Sequence, residues 1–275
     1  MASAMRCLLA SAVLALITGS AFGGETPWQD IAPGVEMRLI STGKIKPDGT
    51  TLIAVEINMP ENTKTYWRVP GDTGFPAELD FSGSSGVGKH TVHWPFPRRD
   101  QTAEYLDYVY YGPTVLPIEL QLTADTPELK LEAVLGICSD ICVPAQASFS
   151  MPLVDGKPDS ANGLRIKQAM ALAPLEWPED EPAFGDIIYD AVNGELRIPV
   201  ISPAVDLSSL IVTAPDGSPH YGTPQKSPEP NLVVVPVLDG ADEFSTDEQS
   251  VQLTFMTDEG SFETTRSIAF GATGQ

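Results

Sequence analysis

The chain has 275 residues, with 16 Lys and Arg against 37 Asp and Glu. The resulting formal charge of −21 excludes nucleic acid as a natural partner and argues against anionic membrane surfaces. With 25 Pro, 23 Gly and few long helical patterns the class reads as all-β, and the 3 cysteines are too few for a disulfide scaffold, so the fold must rest on hydrophobic cores.

Residues 1–23 place one cation, Arg6, before an apolar run from Cys7 to about Ile17, and then a small-x-small site at Ala21-Phe22-Gly23. This pattern predicts a secretory signal peptide, because a membrane span needs roughly 20 apolar residues. Cleavage near Gly23 removes Cys7 and Arg6. That leaves 15 basic residues (16 − 1) against 37 acidic ones, a charge of −22, in an oxidising compartment where disulfides persist. No later apolar run reaches spanning length, so a periplasmic location without membrane insertion is expected.

Period-two alternation follows. TLIAVEINM sets Ile53, Val55, Ile57 and Met59 on one face, and VLPIELQLT does the same with Leu116, Ile118, Leu120 and Leu122. ELKLEAVLGIC aligns Leu129, Leu131, Ala133, Leu135 and Ile137, and ASFSM aligns Ala147, Phe149 and Met151. Half-buried antiparallel strands read this way. With further strands near 34–41, 64–69, 77–82, 90–95 and 105–111, residues 24–153 are expected to form an immunoglobulin-type β-sandwich. Residues 154–182 read as a linker, with a short helix over GLRIKQAMALA (163–173) and an exposed stretch PLEWPEDEP. Alternation returns in ELRIPVI, SLIVTA, NLVVVPVL and SVQLTFMT, the last leading through Asp258-Glu259-Gly260 into SFETTRSIAF as a hairpin. A second, smaller β-domain is therefore expected over 183–275.

Cys138 and Cys142, in AVLGICSDICVPA, carry the candidate chemistry. The odd positions of 129–137 are apolar, so Cys138 points away from that core row, and a short connection separates it from Cys142. Three readings compete. A structural staple closing a five-residue ring contributes only about 2 kcal/mol in the loop-entropy model. Two thiolates could hold Cu(I), but Zn(II) wants four ligands, and His90 and His93 fall on opposite faces of a strand while His220 lies in the other domain. A reversible dithiol–disulfide couple is the third reading. No Lys, Arg or His lies in the loop, and Asp140 would raise a thiol pKa, so such a pair is a relay governed by its partners rather than a self-activated oxidant.

Four stretches sharpen the choice: YWRVPGDTGFPAELDFSGSSGV (66–87), VHWPFPRR (92–99), YVYYGPTVLPIELQL (108–122) and LGICSDICVPAQASFSMPL (135–153). Together they resemble the periplasmic N-terminal domain of DsbD-type thiol:disulfide interchange proteins, with the closest look to the copper-sensitivity-suppressor (ScsB-like) branch. The resemblance implies an immunoglobulin-like fold, no cofactor, and Cys138 and Cys142 as the redox pair, with Cys142 exchanging and Cys138 resolving. It implies a membrane-embedded reductase of DsbD or CcdA type as electron donor and a periplasmic thioredoxin-fold disulfide isomerase or related thiol protein as acceptor. Aromatic and Pro-rich loops shield the pair in that family, which makes Tyr66, Trp67, Phe75 and Pro76 the candidates for a cover. Two features depart from the pattern. The spacing of three is shorter than in the best-known member, and neither a membrane segment nor a thioredoxin-like C-x-x-C module is read here, so a separate reductase is expected. The alternatives are a copper-tolerance protein using both thiols as Cu(I) ligands, and a non-catalytic adaptor with an inert bridge.

Overall fold

The computed structural model describes residues 24–215, 217–239 and 249–270. The expected signal peptide lies outside them. The protein is all-β, an immunoglobulin-like sandwich followed by a second β-domain.

In the first domain the chain forms β1 (Gln29–Ala32), β2 (Val35–Ile45), β3 (Thr50–Asn58), β4 (Lys64–Gly71), β5 (Glu78–Asp80) and β6 (Val87–Val92). It continues through β7 (Arg98–Gln101), β8 (Leu106–Tyr111), β9 (Thr114–Leu122), β10 (Glu128–Cys138) and β11 (Cys142–Pro152). One sheet runs β1-β2-β3-β9-β6, and the other runs β11-β10-β4-β8-β7 with β5 added against β10. The alternating rows converge between them: Ile53, Val55 and Ile57, Leu116, Ile118 and Leu120, and Leu129 through Ile137 are buried in one cluster with Trp67. Their polar neighbours Glu56, Glu119 and Lys130 face outward, as a two-layer sandwich requires.

Helix α1 (Ser160–Met170) begins three residues before the predicted start. The cause is Asp159, whose carboxylate accepts from the Asn162 backbone N–H at 2.9 Å and caps the first turn. Ile166 is then buried against Ile40 and Ala54 on the outer face of the first sheet.

The PLEWPEDEP stretch is largely exposed, as expected, but it is anchored at two points. Leu175–Glu176 forms β12, which pairs in parallel with Phe262 and Glu263. Trp177 packs 5.4 Å from Phe255 and 5.0 Å from Phe262, ring centre to ring centre. An indole among acids still finds an apolar surface.

The second domain comprises β13 (Ile187–Asp190), β14 (Glu195–Pro199), β15 (Asp206–Thr213), β16 (His220–Tyr221), β17 (Gln225–Lys226), β18 (Leu232–Asp239), β19 (Ser250–Thr257) and β20 (Gly260–Phe270). Its strand order is β15-β19-β20-β13-β14-β18-β16. The expected hairpin is present, closed by the Thr257↔Gly260 pair. Phe184, Leu196, Ile198, Val235, Leu253 and Phe255 form its separate core. Among the described residues no helix is long and apolar enough to cross a membrane.

Removing the helix cap tests the packing of α1. Asp159→Ala should lower the unfolding free energy by about 1 kcal/mol in urea titrations, and Asp159→Ser should retain most of it.

Candidate functional site

Strands β10 and β11 pair without interruption from Glu128↔Pro152 to Cys138↔Cys142, so the two cysteines are the last rung of the hairpin. They are joined as a disulfide with Cα atoms 4.1 Å apart, and Ser139, Asp140 and Ile141 form the turn. With Leu135 and Ile137 in the core, Gly136 and Cys138 project from the outer face.

That outer face is covered. Cys138 is 1% exposed and packs with Tyr66 and Val109 in a small cluster of its own. Cys142, by contrast, is exposed, and Ile141 beside it is 71% exposed. The bridge therefore has a sealed sulfur and an open one.

Tyr66 lies beneath the bridge, its hydroxyl 3.0 Å from Cys138 Sγ and 3.6 Å from Cys142 Sγ. Bonded sulfurs carry no proton, so the phenol donates. Burial pushes the Tyr66 phenol above its ordinary pKa, Lys64 opposes that rise and Asp107 adds to it, so the group stays a donor at neutral pH. After reduction the same O–H would face a thiolate.

Lys64 stands opposite Cys138 on β4 and opposite Tyr111 on β8. Its ammonium bonds Asp100 Oδ2 at 2.6 Å and Asp107 Oδ2 at 3.3 Å, and lies 5.7 Å from the centre of the Tyr66 ring. Burial alone would lower its pKa, but the two carboxylates outweigh that and hold it above the ordinary lysine range. Burial would likewise raise the Asp100 carboxyl, yet hydrogen bonds from Lys64 and Tyr111 keep it below the usual value. Tyr111 is pushed up to about 12 by burial and by its bond to Asp100. One cation between two carboxylates leaves the cluster at about −1, so it offers no positive field to a thiolate. The Tyr66 hydroxyl does.

Asp107, fully buried, also receives Thr73, from its backbone N–H at 2.9 Å and its hydroxyl at 2.6 Å. This fixes the base of the loop 72–77. A Cβ added to Gly136 would fall 2.8 Å from Phe75 Cβ and 3.0 Å from the Tyr66 ring. Gly136 is therefore a glycine so that the loop can lie directly on β10, beside Cys138.

Of the residues read as a cover, Phe75 and Pro76 sit in this loop at the surface, with Phe75 42% exposed. Tyr66 touches the bridge from below. Trp67 does neither: it points into the sandwich core with no exposed surface, edge-on to Tyr108 at 5.8 Å, because neighbours on a strand face opposite ways. Lys64, Asp100, Asp107 and Gly136 were missed. A signal existed for two of them, since Lys64 shares a strand face with Tyr66 and an isolated glycine inside a strand marks close approach of another segment. Among the described residues no group of three or more His, Cys, Asp or Glu could hold a metal ion.

The site is thus an immunoglobulin-like sandwich with a half-sealed disulfide closing a hairpin at the end of one sheet. Residues 36–153 match the family of the thiol:disulfide interchange protein DsbD, N-terminal. This segment is a domain of that type, a thiol:disulfide interchange domain. The N-terminal periplasmic domain of ScsB from Proteus mirabilis has the same fold, at 22% identity and a TM-score of 0.69, covering 90% of this chain and 100% of that one. A chimeric titin Z1Z2 also aligns, at 9% identity and a TM-score of 0.20 over 92% of this chain and 98% of its own, too distant to bear on the fold. No curated protein matches in sequence.

Two outcomes are expected. In the reduced protein, Tyr66→Phe removes a donor from the thiolate and should raise the apparent thiol pKa by about 1 unit, read from the pH dependence of iodoacetamide alkylation. Asp100, depressed in the folded state, stabilises the protein above the ordinary carboxyl value and loses that contribution as pH falls through its lower folded one. The urea midpoint should therefore drop below about pH 4, and less steeply in Asp100→Asn.

Proposed function

We propose that the chain is a periplasmic electron relay that exchanges disulfides with other exported thiol proteins through Cys138 and Cys142. The observation that supports this is the asymmetry of the bridge: Cys142 is open to a visitor, Cys138 is sealed, and one phenol reaches both sulfurs. The domain family and the periplasmic neighbour support the reaction class and the compartment.

In the forward direction the Cys142 thiolate attacks one sulfur of a partner disulfide. A Cys142–partner bond forms, the partner bond breaks, and the partner's other sulfur leaves as a thiolate. The Cys138 thiolate then attacks Cys142 Sγ, re-forming the bridge and expelling the partner's second thiolate. Two electrons pass from the pair to the partner, and the two thiol protons pass through solvent to the leaving thiolates. A dithiol of a membrane reductase then restores the pair by the reverse sequence. The exchange needs no cofactor, since placing three sulfurs nearly in line supplies the catalysis.

The acceptor in this reading is a thioredoxin-fold disulfide isomerase or a related thiol protein. Such a partner can reach Cys142 past Ile141 and the Phe75 loop without unfolding the sandwich. The asymmetry also favours Cys142 over Cys138 as the sulfur joined to the partner. Cys138→Ser, incubated with periplasmic extract, should accumulate a mixed disulfide through Cys142 that reductant releases. Cys142→Ser should accumulate little. Equal trapping by both variants, or by neither, would sink the assignment.

A further inference from the structure

The second domain has no part in that scheme, yet it is fastened to the strand that carries the site. Arg68 follows Tyr66 by two residues on β4, and its Nη2 bonds Glu263 Oε2 at 2.7 Å, Gln252 Oε1 at 2.9 Å and Thr254 Oγ1 at 3.4 Å, all on β19 and β20. The guanidinium lies over the Trp67 ring, 4.3 Å from its centre, which keeps it against the first domain. Arg68 and Glu263 are only 22% and 17% exposed, so water screens this contact weakly.

Three residues later the chain turns. Gly71 has φ +94°, and any Cβ there would collide with the Leu106 carbonyl, so the backbone folds tightly onto β8. Asp72 bonds Leu106 through both its backbone N–H, at 3.0 Å, and its carboxylate, at 2.8 Å. Gly71, Asp72 and Leu106 line a narrow cleft together with Pro219, His220 and Tyr221 of the second domain. From here the loop runs out to Phe75, over Gly136 and beside Cys138. A single stretch, 64–75, thus meets the cysteine bridge through Lys64 and Tyr66, the second domain through Arg68, and β10 at Gly136 through Phe75.

We infer that Arg68 is a positioning residue for the redox pair: by tying β4 and the root of the 72–77 loop to the second domain, it holds Phe75 down beside the Cys138–Cys142 bridge. The second domain is then the fixed support against which the loop closes. This inference rests on the redox reading of the pair and adds a control on its access.

The test uses the full chain and dithiothreitol as the attacking thiol, with the second-order rate of bridge reduction read by alkylation and mass. Losing the charge-assisted bonds of Arg68 raises the open population of the loop, and the rate with it, so Arg68→Met should react about tenfold faster. Glu263→Gln, which leaves β4 unaltered, should shift the rate the same way by a smaller factor, and Arg68→Lys should recover part of the wild-type value. Phe75→Ala should also react faster, and adding Arg68→Met to it should bring no further gain, since both act by opening one loop. An unchanged rate in Arg68→Met and Glu263→Gln overturns the inference, whether or not their melting temperatures fall. So do effects of Arg68→Met and Phe75→Ala that multiply. The small-thiol rate requires no partner protein: failure to trap a mixed disulfide with Cys138→Ser would remove the relay while the loop control is decided on its own data.

Discussion

The register of β10 on β11 is the constraint on which the site depends. Eleven rungs, from Glu128↔Pro152 to Cys138↔Cys142, are held by apolar side chains that must all face one way. A slip of one residue would turn Leu129, Leu131, Leu135 and Ile137 to solvent at once, so the core forbids it. The same requirement sends Cys138 to the opposite face and sets Cys142 across from it. No energy has to be stored in the cysteines themselves to hold them together. A sandwich core tens of ångströms long does that, and the bridge can open without the hairpin separating. In the proposed reading this is what would separate a redox rung from a staple, whose loop-entropy contribution of about 2 kcal/mol is small beside the burial of a single leucine row.

The outer face of this sheet would ordinarily be wet. Here it carries Lys64, Asp100, Asp107 and Tyr111 under a loop, and such groups are costly to desolvate unless their hydrogen bonds are met. They are met: Asp107 receives Lys64 and both donors of Thr73, and Asp100 receives Lys64 and Tyr111. The network stabilises little as a set of charges, because one ammonium faces two carboxylates. It instead specifies where the loop sits. Thr73 satisfies Asp107 in the loop position observed, and that position lays Phe75 over Gly136. A polar cluster and a glycine therefore accomplish jointly what a larger apolar patch would do less specifically.

Most of the fold was legible because period-two alternation survives wherever one face is buried. The rows at 53–59, 116–122, 129–137 and 147–151 all proved to be core, and the direction of Cys138 followed from the same rule. What was not legible depended on neighbours distant in sequence. Asp159 as a helix cap and Trp177 as an anchor sit in polar, Pro-rich segments whose composition reads as linker. Trp67 was grouped with Tyr66 as a cover, although adjacent strand residues face opposite ways. Asp107 lies 34 positions from the Thr73 it binds, and no local pattern joins the two.

The electrostatics of the pair explain why exchange must be governed from outside. Low-pKa thiols need a helix N-terminus, a metal or an unpaired cation nearby, and the nearest cation here is already neutralised. What the site does supply is a hydrogen-bond donor kept protonated by its own burial, reaching the sealed sulfur at 3.0 Å and the open one at 3.6 Å. Such a donor stabilises either sulfur as it becomes a leaving group without making the resting thiol strongly acidic. In the proposed exchange attack falls on Cys142, because it is exposed while Cys138 is buried. In that reading selectivity resides in access rather than in intrinsic reactivity.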